Sequence, residues 1–196
     1  EKTRSLHVEE IKQKYQSLGK KPYVIYNGGT SSVGSLGYVD GALELFNQIE
    51  NTEISDVFVP GGNGGLATGM IFGAGALDIP FHINVISVEH EKDKLYEIIS
   101  NLIVEIEDLT NIKLKYSLDE IMTIYGDYRG EGWSCDTVES VNTIYNLARA
   151  EGIFLEKVYT SKAFFGMKDL LEKKIIKCNG ACYLHSGGFS SLFNQF

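Results

Sequence analysis

Apolar positions recur along this chain with two periods that alternate. Val8, Ile11, Tyr15 and Leu18 fall at helical spacing among lysines, glutamates and glutamines, which predicts an amphipathic helix over about 8–18. Pro22 to Tyr26 is a continuous apolar run of a length that suits a buried strand. Leu36, Val39, Leu43 and Phe46 then mark one stripe of a long helix over 36–49. The plan repeats at once. Asp56 to Pro60 reads as a strand, about 65–77 as a helix, and the β-branched run Phe81 to Val88 as the next strand. Leu95, Ile98, Leu102 and Ile106 indicate helix within an acidic stretch that extends to about Asp119 and whose charges read as a solvated face.

Farther on, Asp136 is placed to cap a helix running through Ala150, with Glu139 three residues later in the capping-box position. Residues 154–159 read as a connection or short strand, and Thr160 or Ser161 as the cap of a helix over 162–173. Ala181 to His185 reads as a final strand, followed by a glycine turn and a short helix. Strands alternating with helices predict an α/β fold: an open, mostly parallel sheet with helices on both faces, in three layers αβα. Ligands of such sheets sit at the carboxyl ends of the strands. The loops at 27–34, 60–65, 127–133 and 185–188 are therefore expected to share one rim.

The stretch that organises this reading is Val57-Phe58-Val59-Pro60-Gly61-Gly62-Asn63-Gly64-Gly65, an apolar run ending in glycines at 61, 62, 64 and 65. Strand, tight loop and helix in succession turn several backbone N–H groups toward one point beside the positive end of a helix, which favours an anion such as phosphate. The spacing is not the dinucleotide fingerprint, and the lysine of a P-loop is missing. From these residues alone the cluster equally suits a connection that binds nothing. Tyr159 taken singly reads as a core or interface tyrosine, and Thr160 and Ser186 as cap or turn residues.

Composition narrows the classes of function. Hydrophobic residues at 43% and charged residues at 22% are ordinary for a globular chain of 196 residues. A formal net charge of -8 argues against a nucleic-acid partner and against an anionic membrane surface, so any anion site must be local. No apolar run approaches the ~20 residues a membrane helix needs, and Glu1 to Glu10 lacks the apolar core of a secretory signal. Cys135, Cys178 and Cys182 have no metal-ligand spacing and read as reduced structural thiols, which suits the cytoplasm. No metal site is expected.

Four stretches in order resemble the pyridoxal-phosphate enzymes of the D-cysteine desulfhydrase and aminocyclopropane-carboxylate deaminase family, which have the tryptophan-synthase-β-like fold. They are Lys21-Pro22-Tyr23-Val24-Ile25 with Gly28-Gly29 and Gly34 to Val39, the Gly61 to Gly65 loop, Glu151-Gly152-Ile153 through Val158-Tyr159-Thr160 to Lys162-Ala163, and His185-Ser186-Gly187-Gly188 with Leu192-Phe193. The resemblance implies that residues 21–196 form the large, cofactor-binding domain and that 1–20 end the small domain or link to it. Gly61, Gly62, Asn63, Gly64 and Gly65 would cradle the phosphate of pyridoxal 5'-phosphate, and Ser186 would present its hydroxyl to the pyridine nitrogen. Tyr159 stands where the family has a catalytic tyrosine. Thr160 stands where the deaminase branch carries glutamate and the desulfhydrase branch threonine, so the chain leans to the latter.

Trp133 takes the place of a second active-site tyrosine in the substrate pocket, and an indole is no acid or base near neutral pH. Gly62 and Gly65 replace a serine and a threonine, leaving Asn63 as the loop's own side-chain donor. The implied activity is β-elimination from a small amino acid such as D-cysteine, giving pyruvate, ammonia and sulfide; ring-opening deamination of a cyclopropane amino acid is the rival. A homodimer is implied as well. The likeness begins near the end of the small domain, so the asparagine-lysine motif of the Schiff base is expected to lie outside this sequence. Lys2-Thr3-Arg4 resembles that motif only as a tripeptide, and Lys162 matches a helix-start residue of the family. The alternative from another class is a non-catalytic module without that lysine, which holds a phosphorylated ligand or pairs with a separate catalytic subunit.

Overall fold

The computed structural model describes residues 2–195, with side chains from residue 6 to 195. Lys2, Thr3 and Arg4 belong to the first helix, and their side chains lie outside the described residues. The elements run α1 (Lys2–Ser17), α2 (Ser32–Ile49), β1 (Ile54–Gly61), α3 (Gly65–Ala76), β2 (His82–Ser87), α4 (Lys92–Thr110), α5 (Leu118–Ile121), β3 (Met122–Tyr125), α6 (Val138–Glu151), α7 (Thr160–Glu172), β4 (Gly180–Tyr183) and α8 (Phe189–Leu192). All pairings in the sheet are parallel, in the order β3-β2-β1-β4. Val59 lies opposite Val85, Val85 opposite Ile124, and Phe58 opposite Tyr183.

Side chains alternate across β1, and each face has its own helical cover. Val57 and Val59 join Ile83, Val85, Met70, Ile71, Leu95, Ile99 and Ile103 in the core under α3 and α4. Phe58 points the other way with Ile86 and Val88, against Ala163 and Leu170 of α7. The three-layer αβα arrangement is therefore present. α2 stacks outside α3 at a distance only glycine allows: a Cβ at Gly69 would stand 2.2 Å from the Ser35 carbonyl oxygen.

The strand order positions the site. From β1 the chain steps outward through β2 and β3, then returns to place β4 on the other side of β1. β1 and β4 are thus parallel neighbours, and the segments that follow them start from the same edge of the sheet. The glycine loop follows β1, and His185 to Gly188 follows β4.

Several local expectations are corrected. Pro22 to Tyr26 is extended but not a buried strand: among the described residues no strand pairs with it, and Tyr23, Ile25 and Tyr26 are exposed. An apolar run becomes a strand only where a neighbour completes its hydrogen bonds. Leu43 faces solvent, and α2 turns Leu36, Val39, Leu45, Phe46 and Ile49 inward instead. Met122–Tyr125 forms a strand that its four residues were too few to announce. The helix expected from Asp136 is capped one residue later by Thr137, whose hydroxyl accepts from the Ser140 amide while Ser140 answers in the box in place of Glu139. Residues 154–159 form a connection. The three cysteines are free. No helix of the described residues is long and apolar enough to cross a membrane, and none of their His, Cys, Asp and Glu side chains form a cluster fit for a metal.

Candidate functional site

The glycine loop is shaped by what surrounds it. At Gly61 a Cβ would meet Leu95 Cδ2 at 2.6 Å and Val85 Cγ1 at 2.7 Å, so the strand's last residue has no room for a side chain. Gly64 starts α3 with φ +84°, a left-handed backbone that L side chains rarely adopt. On one flank a Cβ at Gly62 would stand 2.9 Å from Tyr159 Cε1; on the other, a Cβ at Gly65 would stand 3.1 Å from Thr30 Oγ1. The loop is a cradle whose walls are a phenol ring and a hydroxyl from distant parts of the chain.

Among the described residues no acceptor meets the amides of Gly62, Asn63, Gly64 or Gly65. The first bond inside α3 runs from the Thr68 amide to the Gly64 carbonyl, which leaves the helix's leading N–H groups open as every helix start does. Open amides, a helix of 12 residues behind them and the lack of side-chain bulk together fit a doubly charged phosphate.

The loop at 27–30 closes one side of the cradle. Asn27–Gly29 makes a single 3-10 turn with Gly28 at φ +66°, and a Cβ at Gly28 would lie 3.6 Å from Asn63 Nδ2. Ser31 then caps α2 by accepting from the Gly34 amide at 3.0 Å. Thr30 thus brings a hydroxyl to a loop that carries none of its own. Sequence reasoning passed over this residue, because only the fold carries it across to Gly65.

Tyr159 stands at the N-cap of α7, half-buried, and its phenol oxygen accepts a hydrogen bond from Trp133 Nε1 at 2.5 Å. Burial raises the phenol's pKa, the Trp133 hydrogen bond opposes this, and the nearby Glu89 and Glu156 charges push it further up. Glu89 follows β2 with its Oε2 buried and without a hydrogen-bond partner, near the space a Gly62 side chain would take. It too was missed, being one carboxylate among many in an acidic stretch.

Thr160 is buried with its hydroxyl turned to Glu156: it accepts from the Glu156 amide at 2.8 Å and reaches Glu156 Oε1 at 3.2 Å. Its carbonyl accepts from the Tyr183 hydroxyl at 2.9 Å. Glu156 itself is buried and accepts from the amides of Val158, Tyr159 and Thr160 at 2.7, 2.6 and 2.7 Å. A carboxylate satisfying the open amides at a helix start is the capping device expected of Thr160 or Ser161, supplied instead from four residues upstream. Thr160 and Ser161 lie inside the first turn, and an acidic residue shortly ahead of a helix was the available signal.

Ser186 lies exposed in the turn after β4, next to Gly187 and Gly188, both at positive φ. A Cβ at Gly188 would stand 2.2 Å from Glu156 Cγ, so this turn packs onto the carboxylate that holds Tyr159 and Thr160. His185 donates from Nε2 to the Phe154 carbonyl at 2.8 Å and accepts at Nδ1 from the Gly187 amide at 3.3 Å, so both ring nitrogens are satisfied. Trp133, half-exposed, overhangs Tyr159 from the loop at 126–137. The structure therefore brings the glycine loop, Tyr159 and Trp133 into direct succession; Thr160 sits behind Tyr159 with its hydroxyl occupied.

A family model described as "Pyridoxal-phosphate dependent enzyme" matches residues 1–187. The chain is 31% identical over 188 residues to a putative 1-aminocyclopropane-1-carboxylate deaminase of Pyrococcus abyssi, covering 95% of this chain and 56% of that one. It is 31% identical over 189 residues to the D-cysteine desulfhydrase of Klebsiella pneumoniae, with the same coverage. Among solved structures, an ACC deaminase homologue superposes with a TM-score of 0.86 at 30% identity, over 96% of this chain and 56% of the other. The processed form of threonine deaminase isoform 2 from Solanum lycopersicum, at 16% identity and a TM-score of 0.57, shares the fold. The chain thus spans a little over half the length of the relatives it matches.

Proposed function

The chain belongs to the pyridoxal-phosphate-dependent enzymes, and on that premise we propose that it is the cofactor-binding part of a lyase or deaminase acting on a small amino acid, similar to D-cysteine desulfhydrase. The observation that carries this reading is the contact between the phosphate-type cradle and Tyr159. A titratable phenol, its pKa raised by burial, forms one wall of the loop that suits the cofactor's phosphate. When bound, the cofactor supplies an electron sink for charge developing at the substrate's α-carbon.

In this reading the amides of Gly62 to Gly65, with Asn63 and Thr30 beside them, hold the phosphate. Tyr159 holds or passes a proton at its Oη next to the substrate. Ser186 faces the cofactor ring from the turn after β4, and Trp133 lines the substrate side, where an indole stacks and donates but does not titrate. Thr160 in place of glutamate favours β-elimination, giving pyruvate, ammonia and sulfide, over ring opening of 1-aminocyclopropane-1-carboxylate. Residues 1–20 are assigned to the link with a small domain and 21–196 to the large domain. A homodimer in the cytoplasm follows the family resemblance and the free thiols.

A second reading is favoured by Lys162. Its Nζ is buried and committed to the carbonyls of Arg129 at 2.8 Å and Gly132 at 2.9 Å, so this lysine is not poised to attach the cofactor. The chain by itself would then be a module that holds a phosphorylated ligand reversibly. Titration with pyridoxal phosphate, followed by borohydride and intact-mass measurement, tests both. Uptake with a covalent mass increment supports the enzyme reading for this chain, uptake without one supports the module, and failure to bind overturns the cradle.

A further inference from the structure

We infer that Lys162 is a positioning residue that fastens the loop at 126–137 to α7 and so holds the Trp133 indole on the Tyr159 phenol. Lys162 and Tyr159 are three residues apart at the start of α7, which puts them on one side of the helix. From there Lys162 Nζ donates to the carbonyls of Arg129 and Gly132, on either side of the loop's tip. Trp133 follows Gly132 directly, and its Nε1 donates back to Tyr159 Oη. The result is a closed ring of contacts: α7 to loop through Lys162, loop to α7 through Trp133.

Three features argue that the ammonium is there for this bond and not as filler. The whole lysine is buried, and its hydrogen-bond acceptors are backbone carbonyls. An aliphatic side chain of similar volume would fill the same space without desolvating a charge. What lysine adds is donors. The loop needs them, because Gly130, Gly132 and Ser134 all have positive φ, at 65°, 132° and 64°, and the one turn bond described across the tip runs from the Cys135 amide to the Gly132 carbonyl at 3.3 Å. The Arg129–Glu91 ion pair fastens the loop's near side to the chain ahead of α4 but does not reach Trp133.

The positioning stands on geometry alone; its consequence for proton handling at Tyr159 rests on the function proposed above. The test keeps the two apart by using Trp133, the protein's only tryptophan, as reporter. Lys162→Met is expected to lower the tryptophan fluorescence anisotropy and weaken its near-ultraviolet circular dichroism while the far-ultraviolet spectrum is kept. Tyr159→Phe, which removes the other link of the ring, is expected to lower the same two signals, and the double variant to lower them furthest. A Lys162→Met protein that folds and retains the parent signal overturns the inference. Should that variant fail to fold, Lys162→Gln carries the test, its shorter amide being unable to span both carbonyls. Hydrogen exchange on the parent adds a reading that needs no variant: a Cys135 amide, which donates to the Gly132 carbonyl, as protected as the first turn of α7 supports the fastening, and exchange at the rate of a free loop overturns it. Failure of pyridoxal phosphate to bind the parent leaves these results standing and strikes only the functional reading.

Discussion

Tyr159 closes over Gly62: a single methyl group on that glycine would stand 2.9 Å from the ring's Cε1, closer than real Cβ contacts occur. The two residues are nearly a hundred positions apart in sequence, one ending the β1 connection and the other starting α7. Their contact makes the phenol part of the wall of the glycine cradle. It also means that a side chain at position 62 must displace the ring.

Gly62→Ala is therefore expected to weaken ligand binding by displacing the ring. Forcing one extra carbon into a packed site costs about 1–3 kcal/mol, and the middle of that range is roughly thirtyfold in a dissociation constant. Titration of parent and variant with pyridoxal phosphate measures it, and equal affinities would show that the ring moves aside freely.

Tyr159→Phe separates holding from chemistry. Under the proposed β-elimination, turnover of D-cysteine by the full-length protein is expected to fall by roughly 10²–10⁴-fold, the usual worth of a positioned proton donor or acceptor. Affinity for the cofactor should stay close to the parent's, because the cradle contact is made by the ring carbons. A variant with unimpaired turnover would remove Tyr159 from the reaction.

Glu156 and Thr160 are expected to report in stability before anything else. Glu156→Gln sets an NH2 group against amides that now donate to carboxylate oxygens at 2.6 to 2.7 Å. A lost charge-assisted hydrogen bond is worth about 1.5–3 kcal/mol. Thr160→Val strands the buried Glu156 amide that its hydroxyl accepts from, at about 1–3 kcal/mol. In a protein of this size each kcal/mol lowers Tm by about 2–4 °C, so calorimetry should show both variants melting several degrees early. A Thr160→Val protein of unchanged Tm and reduced turnover would instead assign the hydroxyl to the substrate.

High pH should unfold the protein through its tyrosines. Burial raises the pKa of Tyr183, Tyr128 and Tyr159 above the ordinary tyrosine value. A raised folded-state pKa means that the folded protein keeps protons which the unfolded chain releases once pH passes about 10. Stability from these groups is complete below that point and lost as pH climbs through their folded values. Urea midpoints measured from pH 8 to 11 should fall most steeply above about 10, and Tyr183→Phe should flatten the fall. A flat profile in the parent would contradict the burial of these phenols.

How much of this was legible beforehand depended on range. The central strand-loop-helix unit could be read because everything that makes it is local: the apolar run of β1, the glycines that permit the turn and the small apolar residues of α3 lie within about twenty positions. Pro22 to Tyr26 shows the limit, since the same apolar content produced no strand without a neighbour to pair with. The caps shifted by a residue or more for a related reason. Asp136, Thr137, Thr160 and Ser161 all have capping chemistry, and Glu156 has it too; which of them acts depends on the path by which the chain enters the helix.

By itself the sequence determined the α/β alternation, the place and glycine-rich character of the loop after β1 and the family resemblance, because these are properties of short segments and of the residues within them. Only the tertiary structure decided that β4 returns beside β1, that Tyr159 and Thr30 wall the glycine cradle, and that Lys162 fastens Trp133 to Tyr159. Each of these joins groups far apart along the chain. Their distances are set by how strands order and helices pack, and no local pattern of residues encodes that.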